Sequence, residues 1–281
     1  GVGSKGYYGT GFNGSSYLQD FWEYDPSANA WTAKASLPGT ARSEAVGFQI
    51  STKGYVGLGG GSAGYLSDFW EYTPFTNSWV QRLSFPGTAR VRASGVGIST
   101  KGYVGLGVSS ANVNFADMWE YSAVSNTWLA KAAFPGAARN RCVAFLIGSK
   151  AYFGLGGGAV SNYADMYEYD PAFNSWSTKA SFAGLARSYA VGFSIGTNGY
   201  AGLGSTTGAV VDFWKYDSGL NSWSEVSAFA AVNRLNPAGF CINEKIYFGT
   251  GDSNDKLLND LWEWDPGTEL WTQKADFIGV A

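Results

Sequence analysis

The sequence contains no histidine, which limits the chemistry of any site. Histidine is the most frequent general base of enzymes and a common ligand of zinc and copper. Without it, Ser-His and Cys-His nucleophilic pairs are excluded. We therefore expect no catalytic residue of these kinds, no bound metal and no cofactor.

Cysteine is scarce, with only Cys142 and Cys241 in 281 residues. The two residues do not form a C-x-x-C or similar metal-binding spacing, and one pair in a chain of this length is not a disulfide framework. We expect both to be small, buried apolar side chains.

Charged residues make up only 15% of the chain, with 19 basic and 22 acidic residues, a net charge of -3 and no run of five like charges. Such a chain lacks the basic surface that binds nucleic acid or anionic lipid. No apolar run approaches the roughly 18 residues of a membrane span. No cationic segment followed by an apolar one marks a signal peptide. We expect no nucleic-acid partner and no membrane span. Because residue 1 is Gly rather than Met, we also expect a mature or excised part of a longer chain.

Glycine and aromatic residues are abundant instead, with 39 Gly, 18 Phe, 17 Tyr and 12 Trp. This composition favours a globular chain, and the length suits one large all-β domain over residues 1–281.

A five-residue phrase recurs along the whole chain: Asp, a bulky apolar residue, an aromatic, a charged residue and an aromatic. Its six copies are 47 to 49 residues apart and start at Asp20, Asp68, Asp117, Asp165, Asp212 and Asp260. Eleven residues after these stand Trp31, Trp79, Trp128, Trp176, Trp223 and Trp271. Eleven residues after the first five of these stand Arg42, Arg90, Arg139, Arg187 and Arg234. A fixed period of this length indicates a repeat architecture.

Each repeat predicts four short strands, as in "SEAVGFQI", "KGYVGLG", "DFWEY" and "AWTAKAS", joined by turns such as "STKG" and "DPSAN". Both faces of the resulting antiparallel sheet are mostly apolar or aromatic. Stacking the sheets around an axis buries both faces, as in a propeller.

The glycines of "YVGLGGG", the phrase "DFWEYDP" and the "PGTAR" before the next strand resemble the kelch repeat over essentially the whole chain. The double glycine is intact only at residues 59–61 and 156–158. The resemblance implies an all-β, six-bladed β-propeller of kelch repeats with four antiparallel strands, A to D, in each blade. The repeats are 1–41, 42–89, 90–138, 139–186, 187–233 and 234–281.

The resemblance also implies that the first blade lacks most of its innermost strand A, because residues 1–4 align with the end of strand A in the next repeat. Adding 48 to Arg234 predicts the next arginine at position 282. We expect the closing strand to be truncated from this chain or supplied by another one, since an open strand edge tends to pair.

The loops between strands B and C differ in every repeat, whereas the AB and CD turns are short and similar. Variable loops on a uniform scaffold favour binding at the face of the BC and DA loops. The recurring arginines are predicted to anchor the DA loops by bonding carbonyls or a carboxylate. Two positions after each arginine, the residue type differs from repeat to repeat. On a strand these side chains would point to the same side as the arginines.

In kelch proteins this position lines a shallow ligand pocket at the central channel. The resemblance therefore implies a ligand-binding set of Glu44, Arg90, Arg92, Arg139, Arg141, Arg187, Tyr189, Arg234 and Asn236. Four of its arginines, at 90, 92, 139 and 141, would favour a carboxylate or an acidic loop. The alternative is a solvated channel mouth.

Two other acidic sets are interpreted as structural. The glutamate of the recurring phrase occupies an ion-pair position at Glu23, Glu71, Glu120, Glu168 and Glu263, with Lys215 in the sixth copy. The loop with Asp252, Asn254, Asp255 and Asp260 lacks the spacing of an EF-hand and is interpreted as a polar loop.

Three functions remain. The first is a non-catalytic recognition or adhesion module that binds a protein, peptide or glycan. The second, implied by the resemblance, is a sugar-active enzyme of the sialic acid mutarotase type, with Glu44, Arg92 and Arg141 as its active groups; galactose oxidase is excluded because its copper needs histidine. The third is a subunit of a cell-surface assembly whose first blade is completed by a partner strand.

Low lysine content and resemblance to bacterial secreted kelch modules favour an extracellular, cell-surface or periplasmic location.

Overall fold

The computed structural model describes residues 1–253 and 256–279. The chain divides into two compact units, Gly1–Asn140 and Arg141–Gly279. Unit 1 contains sheets 1 to 3. Sheet 1 has the strands Gly6–Phe12, Tyr17–Asp25 and Ala30–Lys34, and sheet 2 has Val46–Ile50, Lys53–Gly57, Phe69–Thr73 and Ser78–Arg82. Sheet 3 has Ser94–Ile98, Lys101–Gly105, Met118–Ser122 and Thr127–Lys131. Unit 2 contains sheets 4 to 6. Sheet 4 has the strands Val143–Ile147, Lys150–Gly154, Met166–Asp170 and Ser175–Lys179, and sheet 5 has Val191–Ile195, Asn198–Gly202, Phe213–Asp217 and Ser222–Val226. Sheet 6 has Ala238–Ile242, Lys245–Gly249, Leu261–Asp265 and Leu270–Lys274.

Every sheet is antiparallel and its strands are neighbours in chain order. Within the described residues, sheets 2 to 6 have four strands and sheet 1 has three. A 3-10 helix, Pro74–Thr76, and two hairpins of two-residue strands, Gly60–Gly61 with Gly64–Tyr65 and Asp252–Ser253 with Lys256–Leu257, complete the elements. The predicted all-β fold of six antiparallel sheets, the first lacking a strand, is confirmed.

The aromatic residues of the recurring phrase join consecutive sheets. In unit 1, the ring of Phe69 in sheet 2 lies edge-on to Tyr121 in sheet 3, with centroids 4.8 Å apart, and to Trp128, 5.1 Å away. Phe69 and Tyr121 are almost completely buried. Each fully buried side chain of this size contributes roughly 2 to 3 kcal/mol, so the aromatic phrase holds neighbouring sheets together.

The turn between strands C and D also links neighbours. Asn77 closes this turn of sheet 2 in a left-handed conformation, with φ 48°. Its Oδ1 accepts a hydrogen bond from the Tyr72 hydroxyl at 2.8 Å and another from the Ala35 amide of sheet 1 at 2.9 Å. The indole of Trp79 donates to the Ala35 carbonyl at 2.7 Å. The recurring tryptophan therefore ties the outer strand of one sheet to the end of the preceding sheet.

Glycine in strand A allows two sheets to approach each other closely. A Cβ atom on Gly97 of sheet 3 would lie 1.7 Å from the Gln49 carbonyl oxygen of sheet 2. On Gly47, in the preceding strand A, the nearest atom would be the Tyr55 carbonyl oxygen at 3.8 Å. We expect Gly97→Ala to lower the free energy of unfolding by about 2 to 3 kcal/mol, because backbone must move to admit the methyl group. Urea unfolding measures the loss. Gly47→Ala is the control, with an expected change within about 0.5 kcal/mol; equal losses in both variants would refute the explanation.

Candidate functional site

The recurring arginines are buried beneath the loops that lead into strand A. Arg42 is completely buried, and its Nε donates to the Thr40 carbonyl at 2.9 Å. Its Nη1 donates to the Leu58 carbonyl at 3.0 Å, and its two terminal nitrogens bind both oxygens of Asp68 at 2.6 Å. Bidentate pairs of this kind combine charge with fixed geometry. The Trp70 indole donates to the same carboxylate at 2.7 Å.

The same arrangement recurs in the other repeats. The further bidentate pairs are Arg90 with Asp117, Arg187 with Asp212 and Arg234 with Asp260. Arg139 donates to the Ala137 carbonyl at 2.8 Å and lies over the ring of Phe134. The predicted anchoring of the DA loops by arginine is confirmed. Arg90, Arg139, Arg187 and Arg234 are at most 1% exposed, and ligand contact through them stays a prediction.

Burial alone would raise the pKa of the aspartates in these pairs, but hydrogen bonds from the arginine and from the indole lower the pKa of Asp68, Asp212 and Asp260 below its ordinary value. Each of these carboxylates is therefore ionised at neutral pH and already neutralised by its arginine. None is available as a general base.

The residue two positions after each arginine lies in a turn and not on a strand. Strand A begins four residues after the arginine, as in Arg42 and Val46. The five residues at this position all have left-handed backbone: Glu44 φ 53°, Arg92 φ 59°, Arg141 φ 56°, Tyr189 φ 61° and Asn236 φ 53°. The expectation that strand alternation orients these side chains was wrong.

The physical reason, seen in four of the five repeats, is that the residue before the turn first pairs with the BC loop of its own sheet. The isolated bridges are Ser43 with Gly60, Val91 with Val108, Ser188 with Ser205 and Leu235 with Asp252. The chain must then turn sharply to reach strand A. These bridges confirm that the DA and BC loops lie together. Left-handed backbone costs about 1 kcal/mol for a residue other than Gly or Asn, and the fold imposes it on four such residues.

In unit 1 the turn residues of sheets 2 and 3 contact each other. The Arg92 Nε donates to Glu44 Oε1 at 2.6 Å, and the Arg92 amide donates to the Glu44 carbonyl at 3.1 Å. Both side chains are 29% exposed. This ion pair is therefore accessible, in contrast to the buried pairs beneath it.

In unit 2 the Arg141 guanidinium lies 3.8 Å from the centroid of the Tyr189 ring, which is a cation-π contact. Asn236 is exposed, and its Nδ2 donates to Asp252 Oδ2 at 3.2 Å. The sequence reasoning did not include Asp252 in the site. The sequence feature that could have identified Asp252 is an acidic residue directly after the glycine of a variable BC loop.

The loops around these turns expose apolar side chains. In unit 1 Tyr65 and Val113 are exposed on BC loops. In unit 2 the exposed apolar residues are Val160 and Leu257 on BC loops and Leu185 and Val232 on DA loops. Exposed apolar side chains beside charged groups are typical of surfaces that bind other proteins.

The glutamates of the recurring phrase form ion pairs, as predicted. Glu71 accepts hydrogen bonds from Lys53, Tyr55 and Arg82. Lysines also pair with the others: Lys34 with Glu23, Lys101 and Lys131 with Glu120, Lys150 and Lys179 with Glu168, and Lys245 and Lys274 with Glu263. Five similarly occupied glutamates are structural and do not suggest a unique acid or base.

Neither cysteine forms a disulfide bond, and both are partly buried. Burial raises the pKa of Cys241 to about 11, so this thiol is protonated and unreactive.

Within residues 1–253 and 256–279, no group of three or more acidic or cysteine side chains is placed to hold a metal. Asn254 and Asp255 of the acidic loop lie outside the described residues. In the same ranges no helix has the length and apolar character needed to cross a membrane.

Six consecutive antiparallel sheets built from one repeat define a six-bladed β-propeller, with three strands in blade 1 and four in each other blade. Among solved structures, the chain is similar to the structure of YjhT with a TM-score of 0.82 and 16% sequence identity, covering 97% of this chain and 95% of that chain. At this identity the likeness shows the fold. No family model and no curated protein matches the chain.

Proposed function

We propose that the chain is a kelch-type propeller that acts as a non-catalytic recognition module and binds a protein or peptide through the BC and DA loops. One observation carries this proposal. Five turn residues share one left-handed backbone conformation and yet are Glu44, Arg92, Arg141, Tyr189 and Asn236. A position that serves only the scaffold would keep one residue type, such as Gly or Asn. Differing side chains on one backbone favour recognition.

The chemistry of the turns favours an acidic ligand. Arg92 is held by Glu44 in an accessible pair, so a ligand carboxylate can share or replace that partner. In unit 2, Arg141 over Tyr189 offers a cation on a flat apolar support. Exposed valine and leucine side chains on the adjacent loops fit apolar groups that flank the acid. A protein or peptide segment with acidic and apolar residues satisfies these groups better than a neutral sugar.

A peptide and glycan array tests the proposal, and the matched variants are Arg92→Met and Arg141→Met. We expect the unmodified chain to retain acidic peptides and each variant to bind them about tenfold more weakly, since one charge-assisted hydrogen bond contributes roughly 1.5 kcal/mol. Lys101→Met is the control, because it removes the same charge at an AB turn. Equal binding by all four proteins, or retention of neutral peptides only, would contradict the proposal.

The mutarotase alternative depends on the same polar residues, Glu44, Arg92 and Arg141. It predicts retention of sialylated glycans on the array and faster exchange between sugar anomers, measured by proton NMR. That result, without peptide binding, would replace the recognition proposal.

We also propose that the protein is secreted and lies outside the cell, at or near its surface, because its lysine content is low.

A further inference from the structure

Two Asn-Gly dipeptides occur in the chain, Asn13–Gly14 and Asn198–Gly199. The backbone nitrogen that follows an asparagine can attack the carbon of the side-chain amide. Glycine at the second position leaves this approach unhindered, because it has no Cβ and rotates freely. The two dipeptides lie in different surroundings, so the effect of the fold on this reaction can be compared within one molecule.

The first dipeptide lies at the tip of the BC loop of blade 1. Residues 14–16 are exposed, and Gly14 has a positive φ of 86°. The Gly14 amide donates no hydrogen bond to any residue that the structure describes. The equivalent residues 62–64 of blade 2, which has its strand A, are exposed as well. Exposure of the tip is therefore a property of the loop itself.

The side-chain oxygen of Asn13 is surrounded by hydrogen-bond donors. Asn13 Oδ1 accepts from the Ser15 amide at 3.1 Å, from the Ser15 hydroxyl at 3.0 Å and from the Ser16 amide at 2.8 Å. These bonds fold the side chain forward over Gly14. Donors that point at a carbonyl oxygen stabilise the negative charge that collects there when a nucleophile attacks the carbon. Asn13 Nδ2, the leaving group, donates to no residue in the described part of the chain.

Asn198–Gly199 has the same two residues in a fixed setting. Asn198 is the first residue of the strand Asn198–Gly202, which pairs with a strand on each side. Gly199 is buried, and a Cβ atom there would lie 2.3 Å from the ring of Phe145. Among the described residues no donor bonds to Asn198 Oδ1. Attack by the Gly199 nitrogen therefore requires the strand to leave its neighbours first.

We propose that Asn13 is a self-modification site, which loses its amide in the folded protein through a succinimide ring formed with Gly14. The Gly14 nitrogen gives its proton to hydroxide and bonds to Asn13 Cγ, while the three donors hold the charged Oδ1. The Cγ–Nδ2 bond then breaks, and Nδ2 takes a proton from water and leaves as ammonia. Water opens the ring at either carbonyl, which gives aspartate or isoaspartate, and nothing is oxidised or reduced. The BC loop of blade 1 thereby gains a negative charge, whatever the function of the protein.

Peptide mapping by mass spectrometry, after incubation of the full chain at neutral pH, measures the conversion at both asparagines. In the folded protein we expect Asn13 to convert at least about tenfold faster than Asn198, because the strand at Asn198 must open first. In the urea-unfolded chain the two sites should convert at similar rates, since only the dipeptide then acts. The product at Asn13 should include isoaspartate, which arises from the ring and not from direct hydrolysis.

Ser15→Ala tests the role of the donors, because it removes the hydroxyl and keeps both amides. We expect conversion at Asn13 to slow about fivefold and conversion at Asn198 to stay unchanged. Ser62→Ala, at the exposed tip of the BC loop of blade 2, is the matched control and should change neither rate.

The proposal is overturned by equal rates at the two asparagines in the folded chain, or by slower conversion of Asn13 in the folded chain than in urea. It is also overturned by aspartate as the only product, or by a Ser15→Ala rate equal to that of Ser62→Ala. The comparison of the two sites in the unmodified chain keeps the test valid if a variant does not fold.

Discussion

Replacing Arg42 by methionine is expected to lower the free energy of unfolding by about 3 kcal/mol. Arg42 is completely buried, and its loss leaves the largely buried Asp68 carboxylate without its bidentate partner and the Leu58 and Thr40 carbonyls without a donor. Breaking a buried ion pair by removing one partner costs more than the pair contributes, since the remaining charge stays desolvated. Urea unfolding followed by tryptophan fluorescence measures the change.

Arg92→Met is the control for this experiment. It removes the same side chain from the equivalent segment of the next repeat, but the Arg92–Glu44 pair is exposed to solvent. Accessible pairs contribute at most about 1 kcal/mol. Equal losses for both variants would show that burial of the guanidinium is not what matters. A stable Arg92→Met protein also ensures that its expected loss of ligand binding is not a folding defect.

Acid is expected to destabilise the protein steeply between about pH 4.5 and pH 2. Burial alone would raise the pKa of Glu71, but hydrogen bonds from Arg82, Lys53 and Tyr55 lower it from 4.5 to about 2. A carboxyl whose pKa is lower in the folded state stabilises the fold above its unfolded pKa, and this contribution disappears as the pH falls through the folded pKa. For Glu71 we expect about 2 kcal/mol after allowance for its partly solvated partner Lys53.

The lowered pKa values of Glu120, Glu168 and Glu263 act in the same direction. In Glu71→Gln the contribution of this carboxyl is absent at every pH. The difference in unfolding free energy between the unmodified protein and Glu71→Gln should therefore be largest above pH 5 and shrink towards pH 2. Glu225→Gln, at an exposed position, should differ little from the unmodified protein throughout. A difference that stays constant from pH 6 to pH 2 would contradict the pKa explanation.

The number of sheets, the order of their strands and the three-stranded blade 1 could all be predicted from the sequence. The reason is that these features depend on local, periodic signals. The recurring "DFWEY" phrase alternates side chains across a strand, and "DPSAN" and "STKG" close the turns. The anchoring role of the arginines could also be predicted, because a charge that returns at the same step as a recurring aspartate is most simply explained by one repeated pair.

The direction of the variable side chains could not be predicted in this way. Glu44 and Arg92 lie in left-handed turns because the preceding residues pair with the BC loop before strand A begins. That constraint comes from residues that are 16 or 17 positions away, Gly60 and Val108, and leaves no local signature in "ARSEA" or "ARVRA". The close approach at Gly97 has the same origin, since nothing near it in the chain indicates that Gln49 lies against it.

The sequence alone therefore determined the repeat, the strands and the buried arginine anchors of this protein, because each rests on short-range pattern and pairing. Only the tertiary structure decided which residues of the BC and DA loops contact one another and which of them are accessible. Those features depend on how closely separate segments approach in space, and that distance is set by packing between sheets and not by any single stretch of sequence.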